Sequence, residues 1–345
     1  MSETKEKIVF DVAYQPQVRT KRDTKSIMID VIIALIPALA VAVWQYGATV
    51  LIPAATSVAS AIFFEWAYRK FMKKDCTVSD CSAAVTGLLL ACTLPAGIAW
   101  WIPIVGTLFA IVVVKQLYGG IGKNFLNPAL AGRAFLLASY PVYMATWQIP
   151  NAFKGAVDGT TMATPLSYLY SGAEMPAYLS FKNLFIGLAP GCLGELSAAA
   201  LILGGIYLLV RKVINWRIPT AFIGTVALLT LVCGHEGYSN VDWMVYNLLS
   251  GGLLLGAIFM ATDYATSPVT LPAQLIYGAG CGALTVLIRY FGGFPEGVSY
   301  AILIMNLCAW ALDKAFRRHQ FGVSKEDIKA EKEAKKAVKA AAKEG

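Results

Sequence analysis

Between residues 27 and 314 the chain is a succession of apolar stretches separated by short polar blocks. A hydrocarbon core about 30 Å thick is crossed by about 20 apolar helical residues. Ten stretches approach that length, at 27–46, 48–67, 82–100, 101–118, 128–146, 184–210, 218–234, 244–260, 272–291 and 297–314. Composition agrees: 57% of residues are hydrophobic and 14% charged, against about 25% charged in a soluble domain. A water-soluble enzyme is excluded on these grounds, and so is disorder except at the ends. The expected fold class is an all-α polytopic membrane protein of about ten transmembrane helices.

The net charge of +8 is distributed in a way that gives an orientation. Cytoplasmic loops retain Lys and Arg. With the N-terminus inside and ten crossings, all of the 29 Lys and Arg except Lys154, Lys182 and Arg289 fall on the cytoplasmic side. An odd number of crossings would put the basic block 314–343 outside. The expected division is a cytoplasmic segment 1–26, a five-helix half 27–146, an extracytoplasmic loop 147–183, a second five-helix half 184–314 and a basic cytoplasmic tail 315–345. The first 26 residues lack the apolar core of a signal peptide, and none is expected. The basic blocks lack an aromatic groove pattern, so no nucleic acid is expected as a partner. Trp100, Trp101, Trp147, Trp216, Trp243 and Trp310 fall near expected helix ends, as in an interfacial belt.

The two halves resemble each other weakly. Gly87-Leu-Leu-Leu matches Gly252-Leu-Leu-Leu, and Lys115-Gln-Leu-Tyr-Gly-Gly matches Arg289-Tyr-Phe-Gly-Gly. Five helices per half make the copies run in opposite senses, an inverted 5+5 repeat whose shared site lies near the bilayer midplane. Pro95 and the Gly132–Arg133 pair interrupt the third and fifth stretches, and broken helices of this kind line sites in transporter-like proteins.

Few residues carry chemistry. Seven cysteines include no CxxC pair, and there are two histidines. A zinc site is therefore not expected, nor a complete iron–sulfur cluster within this chain. Glu195 sits among Pro190, Gly191, Gly194 and Ser197 inside an apolar stretch. A carboxylate there costs about 2.5–3.5 kcal/mol on insertion scales. Such residues face an interior and mark ion paths, unless they reach water at the surface. Asp263, among Thr262, Thr266 and Ser267, is a cation ligand or a helix cap. Asp30 and Glu65 are expected to be solvated at helix ends. In the long loop, Asp158 precedes three threonine hydroxyls, Thr160, Thr161 and Thr164. Taken alone, these fit turn chemistry.

The loop segment Asp158-Gly-Thr-Thr161-Met-Ala163-Thr164 resembles a flavinylation motif, Asp-x-x-Ser/Thr-Gly-Ala-Thr, with Met162 in place of the usual Gly. Three further segments resemble the same family: Gly119-Gly-Ile-Gly-Lys-Asn124-Phe-Leu-Asn127-Pro-Ala-Leu-Ala-Gly-Arg133, Gly191-Cys-Leu-Gly-Glu195-Leu-Ser197 and Met260-Ala-Thr-Asp263-Tyr-Ala-Thr-Ser-Pro268. With Asp23–Asp30, the similarity covers all but the last twenty or so residues. The family comprises the D subunits of Rnf ion-translocating ferredoxin:NAD oxidoreductase complexes and the B subunits of sodium-translocating NADH:quinone reductases. The short N-terminal segment is closer to the former.

The resemblance implies a five-plus-five fold similar to urea and ammonium transporters, and FMN joined through its phosphate to Thr164 by a flavin transferase. It also implies a noncovalent riboflavin between helices, and coupling of electron transfer to Na+ or H+ transport in a bacterial inner membrane. The implied partners are the other Rnf subunits (A, B, C, E and G), with the FMN-bearing G subunit as neighbour in electron transfer. Asp158, Thr161 and Ala163 belong to the motif around Thr164. Asn124, Asn127 and Arg133 are candidates for contact with a flavin or another subunit, or for capping and packing. A solute channel and a structural scaffold are the competing classes, and neither needs the Asp158–Thr164 motif.

Overall fold

A computed structural model describes residues 23–151, 161–171, 176, 179–235, 237–292 and 296–316. Within them the chain is helical and forms no strand. The first half contains α1 (Thr24–Tyr46), α2 (Leu51–Phe71), α3 (Ser82–Cys92), α4 (Ile102–Leu108), which continues as a π-helix over Phe109–Gln116, α5 (Pro128–Ser139) and α6 (Pro141–Met144). Two short helices follow, α7 (Pro165–Ser171) and α8 (Phe181–Ile186). The second half contains α9 (Ala198–Val210), α10 (Arg217–Cys233), α11 (Asn240–Leu249), α12 (Leu253–Leu255), which continues as a π-helix over Gly256–Met260, α13 (Leu271–Phe291) and α14 (Val298–Ala315).

Among the described residues four helices are long and apolar enough to cross a bilayer, and a fifth span results if α11 and α12 count as one, bent by 61°. The chain is thus an all-helical membrane protein. Its perimeter exposes large apolar side chains such as Ile36, Phe63, Leu203, Leu228, Leu287 and Leu307. In water such a belt would be untenable; in lipid it is the solvated face. Inside, one core joins residues from both halves, including Leu35, Leu90, Leu130, Leu201, Phe222 and Ile302.

The apolar stretch 82–100 is helical only to Cys92, and 184–210 only at its two ends. Pro95 and Gly97 follow the first break; Gly187, Pro190, Gly191 and Gly194 occupy the second. The two non-helical segments meet. Pro95 and Cys192 form an antiparallel bridge, Leu193 N–H donates to Leu94 O at 3.0 Å and Gly194 N–H to Cys92 O at 2.7 Å. Backbone groups that no water can reach are thereby paired. The approach is so close that a Cβ on Gly194 would lie 2.4 Å from that of Cys92. Helix α5, by contrast, runs unbroken through Gly132–Arg133, contrary to the expectation of an interruption there. Gly132 serves packing instead, with its Cβ position 2.9 Å from Gly106 O.

Side-chain caps start the two re-entering helices. Asn127 Oδ1 accepts from Ala129 and Leu130 N–H at 3.0 and 3.3 Å, with Pro128 in the first turn, where its missing N–H costs nothing. Asn127 Nδ2 donates to Met260 O at 3.1 Å, tying α5 to the second half. Ser197 Oγ caps α9 by accepting from Ala200 N–H at 3.2 Å.

Helices α1 and α9 cross at Gly204, where an added Cβ would lie 2.2 Å from Ala34 O. Gly204→Val is expected to force the pair apart and to cost about 1–3 kcal/mol. Gly224→Val, where nothing lies within 4 Å, is expected to leave thermal unfolding in detergent near the wild-type midpoint.

Candidate functional site

The end of the loop motif is anchored to the segment that follows α6. Gln148 and Thr161 form an antiparallel bridge, and Met162 N–H donates to Trp147 O at 3.0 Å. Thr164 then caps α7: its Oγ1 accepts from Ser167 N–H at 3.3 Å, and Pro165 takes the first helical position. Thr161 is exposed, Ala163 half-buried and Thr164 buried. Asp158 lies outside the described residues.

Thr164 lines an open cleft of about 560 Å³, together with Leu137, Met144, Trp147, Met162 and Glu296. That volume is within the ~300–1,000 Å³ range of small-molecule sites. Its wall is mostly apolar, with Trp147 as its aromatic residue, hydroxyls from Thr146, Thr161 and Ser167, and Glu296 the one charged side chain among the described lining residues. A planar apolar ring system fits such a wall, and the threonine hydroxyl stands at its edge.

Behind the cleft, charged groups converge. Arg133 Nη2 donates to Glu296 Oε2. Cys192 N–H donates to Glu195 Oε1 at 2.8 Å, while Glu195 Oε2 is buried without a partner. Ligating atoms of Cys192, Glu195 and Glu296 all lie within 4.8 Å of one another. Burial pushes the Glu296 carboxyl above its usual range, against the opposing pull of Arg133. Arg289, 1% exposed, donates from Nη1 to Asn247 O and Oδ1 at 2.7 and 3.1 Å and from Nη2 to Ser250 O at 3.1 Å. Its guanidinium thus caps the carbonyl end of α11 where the chain bends.

A second cavity, of about 100 Å³, lies near the start of α1 and is lined by Met28, Lys115, Asn124, Asn127, Phe259 and Asp263 among others. Glu195 sits near the other end of α1, where Tyr46 packs with Leu193 and Leu196. The two regions are therefore about 30 Å apart along a helix rising 1.5 Å per residue. The structure brings Thr161, Ala163, Thr164, Arg133 and Glu195 to the first region, and Asn124, Asn127 and Asp263 to the second. Asn124 Nδ2 donates to Leu126 O at 3.0 Å, within its own turn. Asp263 organises its own turn, with Oδ2 accepting from Thr266 Oγ1 at 3.2 Å, and burial raises its carboxyl above the usual range.

Residues 11–322 match the NQR2, RnfD, RnfE family. The chain belongs to that family. It is 47% identical over 318 residues to the D subunit of the Na(+)-translocating ferredoxin:NAD(+) oxidoreductase complex of Acetobacterium woodii, an alignment covering 91% of this chain and 96% of the relative. It is 40% identical over 326 residues to the proton-translocating counterpart of Clostridium ljungdahlii, covering 92% and 97%. Identity is 35% over 350 residues to the D subunit of the ion-translocating oxidoreductase complex of Shewanella frigidimarina, covering 91% and 99%. The family match spans both regions described above, from Met28 to Glu296.

Several charged residues are not legible from sequence. Arg289 reads as a loop charge, although an Arg within an apolar helix is itself a functional signal. Glu296 is a lone carboxylate in a short turn, and nothing local marks it. Asp30 and Glu65, expected to be solvated, are buried. Asp30 accepts from Tyr207 Oη at 2.9 Å and pairs with Arg211 at 3.2 Å. Glu65, 1% exposed, pairs with Lys115 at 2.7 Å; Lys115 Nζ also donates to Ser82 Oγ at 2.6 Å, and Thr77 Oγ1 to Glu65 Oε1 at 2.6 Å. Their partners lie far along the chain, so sequence proximity hides them. Lys115→Met is expected to cost about 3–5 kcal/mol by stranding Glu65, and Glu65→Leu in the same chain to recover most of it. Unfolding midpoints of the single and double variants in detergent measure this.

Proposed function

We propose that the chain is the D-type membrane subunit of an ion-translocating ferredoxin:NAD+ oxidoreductase, and that it carries FMN esterified to Thr164. The observation that carries the flavin reading is the placement of Thr164 on the rim of a ligand-sized, mostly apolar cleft that Thr161, Met162 and Ala163 help to build. The subunit reading rests on the named relatives, which align over more than nine-tenths of this chain. A B-type subunit of a quinone reductase is the second reading, since the family includes that branch. A solute channel has no use for the Thr164 cleft.

FMN exchanges one or two electrons, which links one-electron centres to two-electron carriers. The chain's own contribution is position and environment. Leu137, Met144 and Met162 would keep water from a ring in the cleft, and Trp147 presents an aromatic face to it. Arg133 holds the Glu296 carboxylate beside it. Asp158 would serve attachment by the flavin transferase rather than electron transfer. A noncovalent riboflavin has less support. The cavity near Asn124 and Lys115 has polar donors, but its 100 Å³ is below the range of about 300 Å³ upward for ligand pockets, so no role is derived for it.

In the same reading both termini are cytoplasmic, as the distribution of Lys and Arg requires, and the Thr164 loop faces outward in a bacterial inner membrane. The ten apolar stretches form two inverted halves of five, of the urea and ammonium transporter type. Interrupted apolar stretches in each half, ending at Cys92 and bent at Ser250–Gly252, support that symmetry. Glu195 and Asp263 lie toward opposite ends of the bundle on an ion pathway. The partners are the other Rnf subunits (A, B, C, E and G), with the flavin-bearing G subunit nearest in electron transfer.

Mass spectrometry of the peptide spanning Thr164, from protein made in its native host, is expected to show the added mass of an FMN ester. On a denaturing gel, ultraviolet fluorescence should accompany the wild-type band and vanish in Thr164→Ala. An unmodified peptide overturns the flavin reading.

A further inference from the structure

Between the cleft and the interior lies a small void of about 20 Å³, bordered by Thr164, Glu195, Ser250, Gly251 and Glu296. That is room for one water-sized particle. Two polar atoms on its border lack partners. Glu195 Oε2 has no hydrogen bond, and Ser250 Oγ, on a residue 4% exposed, has none either. Unsatisfied buried oxygens cost about 1–3 kcal/mol each, and more when charged. Glu195 has no ion-pair partner among the described residues, yet a second carboxylate, Glu296, is within 4.8 Å of it. Two carboxylates that close repel unless positive charge lies between or beside them.

From this geometry we infer a binding site for one dehydrated, sodium-sized monovalent cation between Glu195 Oε2, Ser250 Oγ and the Glu296 carboxylate. The donors are hard oxygens, which suits an alkali cation; the Cys192 thiol nearby is buried and makes a poor fourth donor for such an ion. Arg133 pairs with Glu296, and Arg289 lies close behind Gly251. Their positive charges leave too little net negative charge for a divalent ion. The same balance keeps the cation weakly held, as a site on a transport path needs. Gly252 makes the site possible: at φ +66° it takes a backbone form that suits glycine, and a Cβ there would lie 2.5 Å from Glu195 Oε2. The site deepens the ion pathway assigned above to Glu195. It does not depend on flavin at Thr164.

Thermal unfolding of the full chain in detergent, titrated with NaCl against choline chloride at equal ionic strength, tests the inference. Sodium at about five times its dissociation constant is expected to raise the midpoint by roughly 2–4 °C, and Glu195→Gln to abolish the rise. Ser250→Ala is the sharper variant. It deletes an unpartnered hydroxyl, so in choline it should unfold at or above the wild-type temperature, while most of the sodium-specific rise is lost. Equal behaviour of the two salts, or a sodium rise unchanged in both variants, overturns the site. So does a rise produced by Zn2+ but not by Na+. Turnover of the assembled complex separates this inference from the pathway: a sodium rise that Glu195→Gln removes while ion-coupled turnover is unchanged leaves the site standing and removes Glu195 from the path.

Discussion

In hydrocarbon an unpaired backbone N–H or C=O has no water to turn to, and this constraint shapes the molecule more than any single side chain. The chain leaves helical geometry between Cys92 and Ile102, and again between Ile186 and Ala198. Each break exposes donors and acceptors. Because Leu94 O receives Leu193 N–H and Cys92 O receives Gly194 N–H, the two breaks satisfy each other. The glycines are there for proximity: no side chain fits between Gly194 and Cys92. Once this contact forms, Glu195 is held beside Cys192 N–H with one oxygen bound and one turned into the void. The carboxylate is thus placed by backbone pairing, not by a partner side chain.

The same economy explains why the charged cluster sits where elements end. Arg289 caps α11 at its bend, Thr164 caps α7 and Glu296 precedes α14. Helix ends carry unsatisfied groups and partial charges, so a buried ion costs less there than midway along a helix. Arg133 is the exception, lying inside α5, and it reaches the cluster from the first half of the chain. The Arg133–Glu296 pair therefore joins the two halves, as the Asn127–Met260 bond does nearer the other end.

How much of this the sequence carries differs by residue. Apolar length makes a helical membrane protein legible, and Pro95 marks a real break, because a missing N–H and a fixed φ act locally. Gly132 is misleading: a glycine in a helix reads as flexibility, yet here it lets α4 and α5 approach closely. Glu195 stands out because a carboxylate in apolar sequence is costly. Glu296 does not, because a carboxylate just ahead of an apolar stretch is ordinary until the fold carries it against Arg133. Glu65 and Lys115 are separated by fifty positions, and only packing of α2 against the π-helical end of α4 reveals the pair. Local physics can be read from local sequence; pairing between distant segments needs the fold.

The position of Glu296 links the two readings of this region. It lines both the cleft beside Thr164 and the small void beside Glu195. A negative charge arriving in the cleft would lie nearest this carboxylate and its arginine, whose own burial leaves them only partly screened by solvent. Arg133 and Arg289 offset much of the charge of the two carboxylates, so a cation in the void is held weakly. In the flavin reading proposed above, an electron added to a ring in the cleft would shift that balance toward holding a cation, and its departure would shift it back. Coupling of this kind needs no large motion. It needs two sites that share one titratable wall, and the fold builds that wall from Glu296.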